Sequence, residues 1–297
     1  MKELIKDLNI FSNKKVKSNS VYLFKILLTA VIVYFVSLLV AEGLIIGGSF
    51  LFGYDATDNQ LPQDIVLLCS FYGYIVTILF FILFTKKINK DKLDKIGLDK
   101  NFKPFLKGLL MGIFTLVVIM AIMILTGAVK YNGINNVNWL FIVLYFFAYL
   151  IQASMEELVT RGYILHRLKE RIPLETAIAL SIIFFTAGHL SKLFDEGMLL
   201  GIFGVANLLL ISLIWTYTTL KDKNIYAAIG LHFIWNFTLF SVIGLNLSGI
   251  DVTNSIFNFN VVNTFITGGG YGIEASFITT IVLLIVFLFV KKNIKLK

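Results

Sequence analysis

The chain has 297 residues, of which 58% are hydrophobic and 15% charged, and its mean hydropathy is +0.85. Soluble domains are about 45–50% apolar and about a quarter charged, so this composition excludes a soluble enzyme, a disordered chain and a coiled coil. It indicates a polytopic membrane protein. The single cysteine, Cys69, excludes an internal disulfide and a cysteine-rich metal site.

Eight apolar runs are long enough to cross a bilayer, because a span needs roughly 20 apolar residues. The sequence therefore predicts an all-α fold, a polytopic bundle of about eight transmembrane helices. The bundle is expected to form one transmembrane domain over residues 1–297. The predicted spans are 22–45, 64–85, 106–128, 138–165, 174–193, 198–219, 225–246 and 272–290.

The basic residues lie between these runs in an asymmetric pattern. With a cytoplasmic N-terminus and eight alternating spans, all of the 26 Lys and Arg residues except Lys130 and Lys192 fall on the cytoplasmic side. This is the positive-inside rule, and it predicts that both termini are cytoplasmic. Topology therefore accounts for the net charge of +8, and the predicted partner of the basic segments is membrane lipid, not nucleic acid. The sequence is rich in Lys, Ile and Asn, which favours a bacterial source and therefore a location in the bacterial plasma membrane.

The fourth span carries Glu156, Glu157 and Arg161 within about one and a half turns. Ionisable groups inside a span are costly and usually functional. Glu157 and Arg161 are four residues apart, in the order that favours an ion pair along one helix face. Glu156 points about 100° away and is expected to have no local partner, as suits a general base. The alternative is an early helix end that leaves all three groups in the headgroup region.

Two later spans carry histidines. Phe185 and His189 are four residues apart at the end of the fifth span, where the histidine could also be interfacial. His232 and Asn236 share one face of the seventh span. The amide could orient the imidazole or donate to developing negative charge, or it could serve only as an interhelical hydrogen bond. Two imidazoles with the Glu156 carboxylate also form a plausible set of ligands for a divalent metal.

Taken in order, these residues resemble the three motifs of the CPBP family of intramembrane proteases. That family groups type II CAAX prenyl endopeptidases with bacterial bacteriocin-processing and immunity (Abi) proteins. The resemblance covers about residues 138–245, which form the expected catalytic core. The motifs in this sequence are Glu156-Glu157-x-x-x-Arg161, Phe185-x-x-x-His189 and His232-x-x-x-Asn236.

The resemblance implies an intramembrane endopeptidase that hydrolyses a peptide bond in a membrane-associated peptide or protein. Glu156 would activate water, and Glu157 would assist or be structurally paired. A zinc ion is the most plausible metal, and a metal-free glutamate mechanism stays open. The remaining implied roles are holding the water or metal (His189, His232), forming the oxyanion site (Asn236) and stabilising the glutamate pair (Arg161).

Two other classes of function compete with this interpretation. A non-catalytic scaffold or bacteriocin-immunity protein would keep the fold and bind a partner. A transporter could use buried carboxylates and histidines as a proton relay. Transporters tend to have broken spans in symmetric halves, whereas the polar residues here lie in the second half of the chain, which counts against transport.

Three residues and one segment outside the motifs have simpler predicted roles. Glu42 is either interfacial or the cap of a glycine-rich re-entrant segment. His166 stands among basic residues, which indicates topology and not chemistry. Glu274 is expected to act as a carboxylate at a helix N-terminus. The outer segment 248–270 contains no Lys or Arg and is expected to form a lid or surface loop.

Overall fold

The computed structural model describes residues 2–12, 16–51 and 61–293. Four of the predicted cytoplasmic lysines, Lys14, Lys15, Lys295 and Lys297, lie outside these ranges. The described chain is mostly helical, with one two-stranded sheet. Its α-helices are α1 (Lys2–Leu8), α2 (Asn19–Leu51), α3 (Gln63–Leu83), α4 (Lys103–Leu125), α5 (Trp139–Glu157), α6 (His166–Leu168), α7 (Leu174–Ala187), α8 (Met198–Asp222), α9 (Tyr226–Phe237), α10 (Thr264–Thr267) and α11 (Phe277–Lys292).

Every predicted span coincides with a helix, and three of the helices continue as π-helix. Within the described ranges, six helical segments are long and apolar enough to cross a membrane. The fifth and eighth predicted spans correspond to shorter helices, α7 with 14 residues and α11 with 16. The π-helical segments are Phe84–Ile88, Leu158–Leu165 and Thr238–Ile243.

The chain divides into two compact units. The first unit comprises Met1–Lys100 and Ile151–Ser181, and the second comprises Asn101–Leu150 and Ile182–Lys297. Helices α5 and α7 each contribute residues to both units. The prediction of one transmembrane domain stays a prediction.

In the first unit, α2 packs against α3 and against the π-helical segment that follows α5. A buried hydrogen bond from the Ser37 hydroxyl to Thr77 Oγ1 (2.9 Å) ties α2 to α3. The ring of Tyr163 packs edge-on against Phe81 at 5.3 Å. Gly162 is required here, because a Cβ at this position would lie 2.8 Å from the carbonyl oxygen of Ile96. The fourth predicted span is thus held closely by its neighbours.

The continuity of helix α2 distinguishes between the two alternatives for Glu42. The helix is continuous from Asn19 to Leu51, so the glycine-rich stretch forms no re-entrant segment. Glu42 is exposed on its surface. The re-entrant alternative is therefore wrong, and the interfacial one is consistent with this exposure.

In the second unit, α4 and α9 approach so closely that their contact requires glycine. A Cβ at Gly108 would lie 2.1 Å from the Ala227 carbonyl oxygen, and a Cβ at Gly230 would lie 2.3 Å from the Phe105 carbonyl oxygen. Small residues at such contacts let the backbones of membrane helices approach. Helix α8 packs on α9 and on α11. Helix α9, which carries His232, is therefore fixed on two sides.

The second unit also contains the small sheet, which the apolar runs of the sequence do not predict. Strands β1 (Val129–Ile134) and β2 (Phe257–Val261) pair antiparallel, with an irregularity between Tyr131 and Gly133. The side chain of Asn135 donates to the carbonyl oxygen of Phe257 at 3.2 Å and so fastens the end of β1. Part of the predicted outer loop is therefore a strand.

Candidate active site

The first unit holds the glutamate motif, and its ion pair forms as predicted. Arg161 Nη1 donates to Glu157 Oε1 at 2.9 Å, and neither side chain is exposed to any extent. The helix does not end early, because helical structure continues through Leu168. The early helix end is therefore wrong, and the depth of the pair in the membrane stays a prediction. Removing one partner of such a buried pair would leave an uncompensated charge.

Glu156 has a local partner, which corrects the expectation that it has none. Gln152 lies one turn earlier on the same face of α5, and its Nε2 donates to Glu156 Oε1 at 2.6 Å. Gln152 is itself buried. An amide four residues before a carboxylate is a favourable helix pair, so the spacing could have predicted this contact. The amide fixes one oxygen of the carboxylate in place.

The backbone around the glutamates is held by side-chain hydrogen bonds. The Thr160 hydroxyl donates to the Glu156 carbonyl oxygen at 2.6 Å, and the buried Ser181 hydroxyl donates to the Thr160 carbonyl oxygen at 2.9 Å. The π-helical segment starts directly after Glu157. Side chains that bond to helix carbonyls accompany such departures from α-helix, and π segments are frequent at functional sites.

His166 belongs to this buried network and does not lie at the exposed cytoplasmic edge. It is 5% exposed, and its Nδ1 lies 2.6 Å from the carbonyl oxygen of Arg161. A carbonyl oxygen only accepts, so Nδ1 carries the proton. The expectation that His166 takes no part in chemistry stays a prediction. It supports the backbone of the residue that pairs with Glu157.

The second unit holds the two histidine motifs. Helix α7 ends at Ala187, so His189 lies in the turn after it and not in the predicted continuation of the span. Its Nδ1 lies 2.9 Å from the Phe185 carbonyl oxygen, which makes Nδ1 the donor. The neutral ring then presents Nε2 as an acceptor. The rings of Phe185 and His189 are 4.5 Å apart, as their spacing predicted.

Phe185 brings the two histidine motifs together within this unit. Its ring packs edge-on against the ring of His232 at 6.0 Å while it contacts His189 on the other side. His232 is 2% exposed and Asn236 is 6% exposed, one turn further along α9. Both motif positions on α9 are thus buried, as functional polar groups in a span typically are.

Sequence reasoning missed Trp215, which stacks on His232. The two ring centroids are 4.1 Å apart and the rings are inclined by 18°. Trp215 also packs edge-on against Phe185 at 5.4 Å. It lies on α8, far from the motifs in sequence, so only the packing of α8 on α9 reveals it. The stack fixes the plane of the His232 ring.

We expect Trp215→Leu to weaken the packing around His232, because an aromatic pair is worth about 0.5–1.5 kcal/mol beyond its buried area. Trp215→Phe keeps a stacked ring and should recover most of that loss. The measurement is the thermal stability of each variant in the same lipid. If the Phe and Leu variants lose equal stability, the stack does not hold the His232 ring.

The sequence did not predict the contacts of two loop residues, Glu274 and Tyr271. Glu274 lies before α11, whose N-cap is Ser276, so the expected helix-terminal role is wrong. Its carboxylate instead accepts from Trp235 Nε1 at 3.0 Å and from the Ser248 hydroxyl at 2.6 Å. Glu274 therefore fastens the outer loop to α9, next to Asn236.

The Tyr271 hydroxyl makes a second link, to the carbonyl oxygen of His189 at 3.4 Å. Burial, reinforced by the Glu274 carboxylate, raises the pKa of the Tyr271 phenol above its ordinary value. The phenol therefore remains a hydrogen-bond donor at neutral pH. The loop is thus anchored beside the turn that carries His189.

The donor set for a metal can be judged from its chemistry. Where the structure describes the chain, no three His, Cys, Asp or Glu side chains form a group that could hold a metal ion. The Nδ1 bond of His189 to a backbone carbonyl is, however, the arrangement that usually accompanies metal-bound histidine. The same bond suits an imidazole that holds a water molecule.

Comparisons with known proteins agree with the motifs. The family model for type II CAAX prenyl endopeptidase Rce1-like proteins matches residues 138–238, about a third of the chain. No curated protein and no solved structure matches the chain. The match includes the glutamate motif and both histidine motifs, and with the apolar helices it describes a multi-pass membrane protein. The match supports the resemblance to the CPBP family of proteases over residues 138–238.

Proposed function

We propose that this protein is an intramembrane endopeptidase that hydrolyses a peptide bond by water activated at Glu156. The observation that carries the proposal is the contrast between two adjacent carboxylates. Glu157 is buried and neutralised by Arg161, whereas Glu156 is held by the neutral amide of Gln152. We therefore assign the structural role to Glu157 and the role of general base to Glu156. The family match supports peptide hydrolysis as the reaction that uses this proton.

In the proposed mechanism, the Glu156 carboxylate takes a proton from a water molecule while the water oxygen attacks the carbonyl carbon of the substrate. The carbonyl oxygen becomes an oxyanion in the tetrahedral intermediate. Protonated Glu156 then gives its proton to the amide nitrogen, the carbon–nitrogen bond breaks, and the carboxylate is regenerated. General acid–base catalysis of this kind contributes about 100- to 10,000-fold.

The second unit is proposed to supply the other groups. His189 and His232 would hold the attacking water, the first through the Nε2 acceptor and the second in the orientation set by Trp215. Asn236 would donate to the oxyanion, and one such donor is worth about 100- to 1,000-fold in kcat. Phe185 packs against both imidazoles and so keeps them together.

A divalent ion, with zinc the first candidate, is the proposed alternative way of activating the water. His189, His232 and Glu156 are the side chains that would hold it, although no three-ligand group is formed in the described part of the chain. The ion would lower the pKa of its bound water towards about 7. Dialysis against a chelator separates the two schemes. Loss of cleavage that returns with zinc supports the metal, and unchanged cleavage supports the metal-free glutamate.

For the membrane arrangement we propose eight crossings with both termini in the cytoplasm of a bacterial cell. The distribution of basic residues supports this arrangement, and α7 and α11 supply the two crossings whose helices are short. Single cysteines in a Cys69→Ser background, labelled with an impermeant thiol reagent in intact cells, test it. We expect labelling at Lys130→Cys and Lys192→Cys and none at Lys90→Cys or Lys223→Cys. The reverse pattern would contradict the arrangement.

The proposed substrate is a membrane-associated peptide or protein. His232→Ala separates an enzyme from a non-catalytic scaffold or immunity protein of the same family. The protease predicts that cleavage is lost while the variant accumulates in the membrane. A variant that accumulates and keeps its full phenotype would favour the scaffold. Terminal-peptide mass spectrometry of membranes with wild-type or variant protein measures cleavage even when the substrate has not been identified.

A further inference from the structure

A cavity of about 190 Å³, lined by none of the histidine-motif residues, lies at one end of the second unit. Helices α4 and α9 begin at this end, and α8 and α11 finish there. The cavity has a charged rim formed by Lys107, Lys221 and Asp222. Its walls are apolar and include Met111, Leu231 and Phe289.

The rim carries net positive charge. Lys107 Nζ lies 3.2 Å from Asp222 Oδ1, so the only carboxylate of the rim is engaged with one of the two lysines. Lys221 adds a second, exposed ammonium group. A group that meets this rim should therefore be anionic.

The walls exclude a purely polar ligand. Inorganic phosphate or a nucleotide would satisfy the lysines but would leave the half-buried Met111 uncovered. Phe289 is 68% exposed at the edge of the cavity, where a hydrocarbon chain can cover it. A charged rim over apolar walls fits an amphiphile with an anionic head and an acyl chain.

We propose that this cavity binds one anionic phospholipid from the surrounding leaflet. The phosphate lies between Lys107 and Lys221, and one acyl chain runs along Met111, Leu231 and Phe289. Basic pockets between helix ends are known to take anionic headgroups. The inference is independent of the proposed peptidase mechanism, because none of these residues takes part in it.

The test is native mass spectrometry of the full-length protein released from nanodiscs. The probes are phosphatidylglycerol and phosphatidylcholine with identical acyl chains, so that only the headgroup differs. We expect the wild-type protein to retain phosphatidylglycerol preferentially. Each lysine near a membrane surface is worth about fivefold in affinity for anionic lipid, so Lys107→Gln with Lys221→Gln should lower this preference about 25-fold.

The matched control is Lys86→Gln with Lys87→Gln, which removes two exposed lysines of the first unit. It should leave the preference unchanged. Met111→Trp fills the cavity while both rim lysines remain, and it should also weaken retention. Three results would overturn the proposal: an equal loss in the control pair, full retention in Met111→Trp, or displacement of the lipid by excess inorganic phosphate.

Discussion

Glu156→Gln is expected to lower cleavage by at least about 100-fold, since it removes the proposed general base. The substitution is nearly isosteric, and the amide oxygen at position 156 can still accept from Gln152 Nε2, which lies 2.6 Å from Glu156 Oε1 in the wild-type protein. The variant should therefore accumulate in the membrane like the wild-type protein. The measurement is cleavage rate divided by the amount of folded protein.

Glu175→Gln is the matched control, because Glu175 is an exposed glutamate in the first turn of α7. It should leave both activity and accumulation unchanged. Retained cleavage in Glu156→Gln would show that the base is wrongly assigned. A parallel loss of accumulation and cleavage would instead make Glu156 structural.

Arg161→Met is expected to cause the largest loss of stability. Arg161 and Glu157 are fully buried and joined at 2.9 Å, so removing the guanidinium leaves a buried carboxylate without its countercharge. Breaking a buried pair in this way costs about 3–5 kcal/mol, a large part of the stability of a typical domain. The variant should accumulate poorly and unfold at a markedly lower temperature in detergent.

The double variant Glu157→Gln with Arg161→Met separates a structural pair from a catalytic one. It removes both charges, and replacement of a buried ion pair by neutral groups is often tolerated. We expect it to recover accumulation relative to Arg161→Met, with some cleavage restored. If the single variant is as stable as the wild-type protein, the pair does not hold the motif in place.

Periodicity and spacing were sufficient to predict contacts between residues that are close in sequence. The Glu157–Arg161 pair and the Phe185–His189 contact both follow from a separation of four residues. The apolar runs likewise located the long membrane helices to within a few residues of most of their bounds. These features depend on local geometry, which the sequence encodes directly.

Contacts between distant segments could not be predicted in the same way. Trp215 reaches His232 only because α8 packs on α9, and β1 pairs with a strand that follows it by more than a hundred residues. The shift to π-helix after Glu157 depends on tertiary hydrogen bonds such as the one from Ser181. The Gln152–Glu156 contact is different, because its spacing of four residues is visible in the sequence.

In the proposed mechanism, Glu156, His189 and His232 act on one water molecule at one peptide bond. The most direct measurement is the separation between the Glu156 carboxylate and the two imidazole rings in an experimental structure with a bound substrate peptide. We predict that both rings lie within about 3–6 Å of the carboxylate, close enough to share a water molecule or a metal ion. A separation of more than about 10 Å across packed side chains would show that the three side chains do not share one water molecule or metal ion.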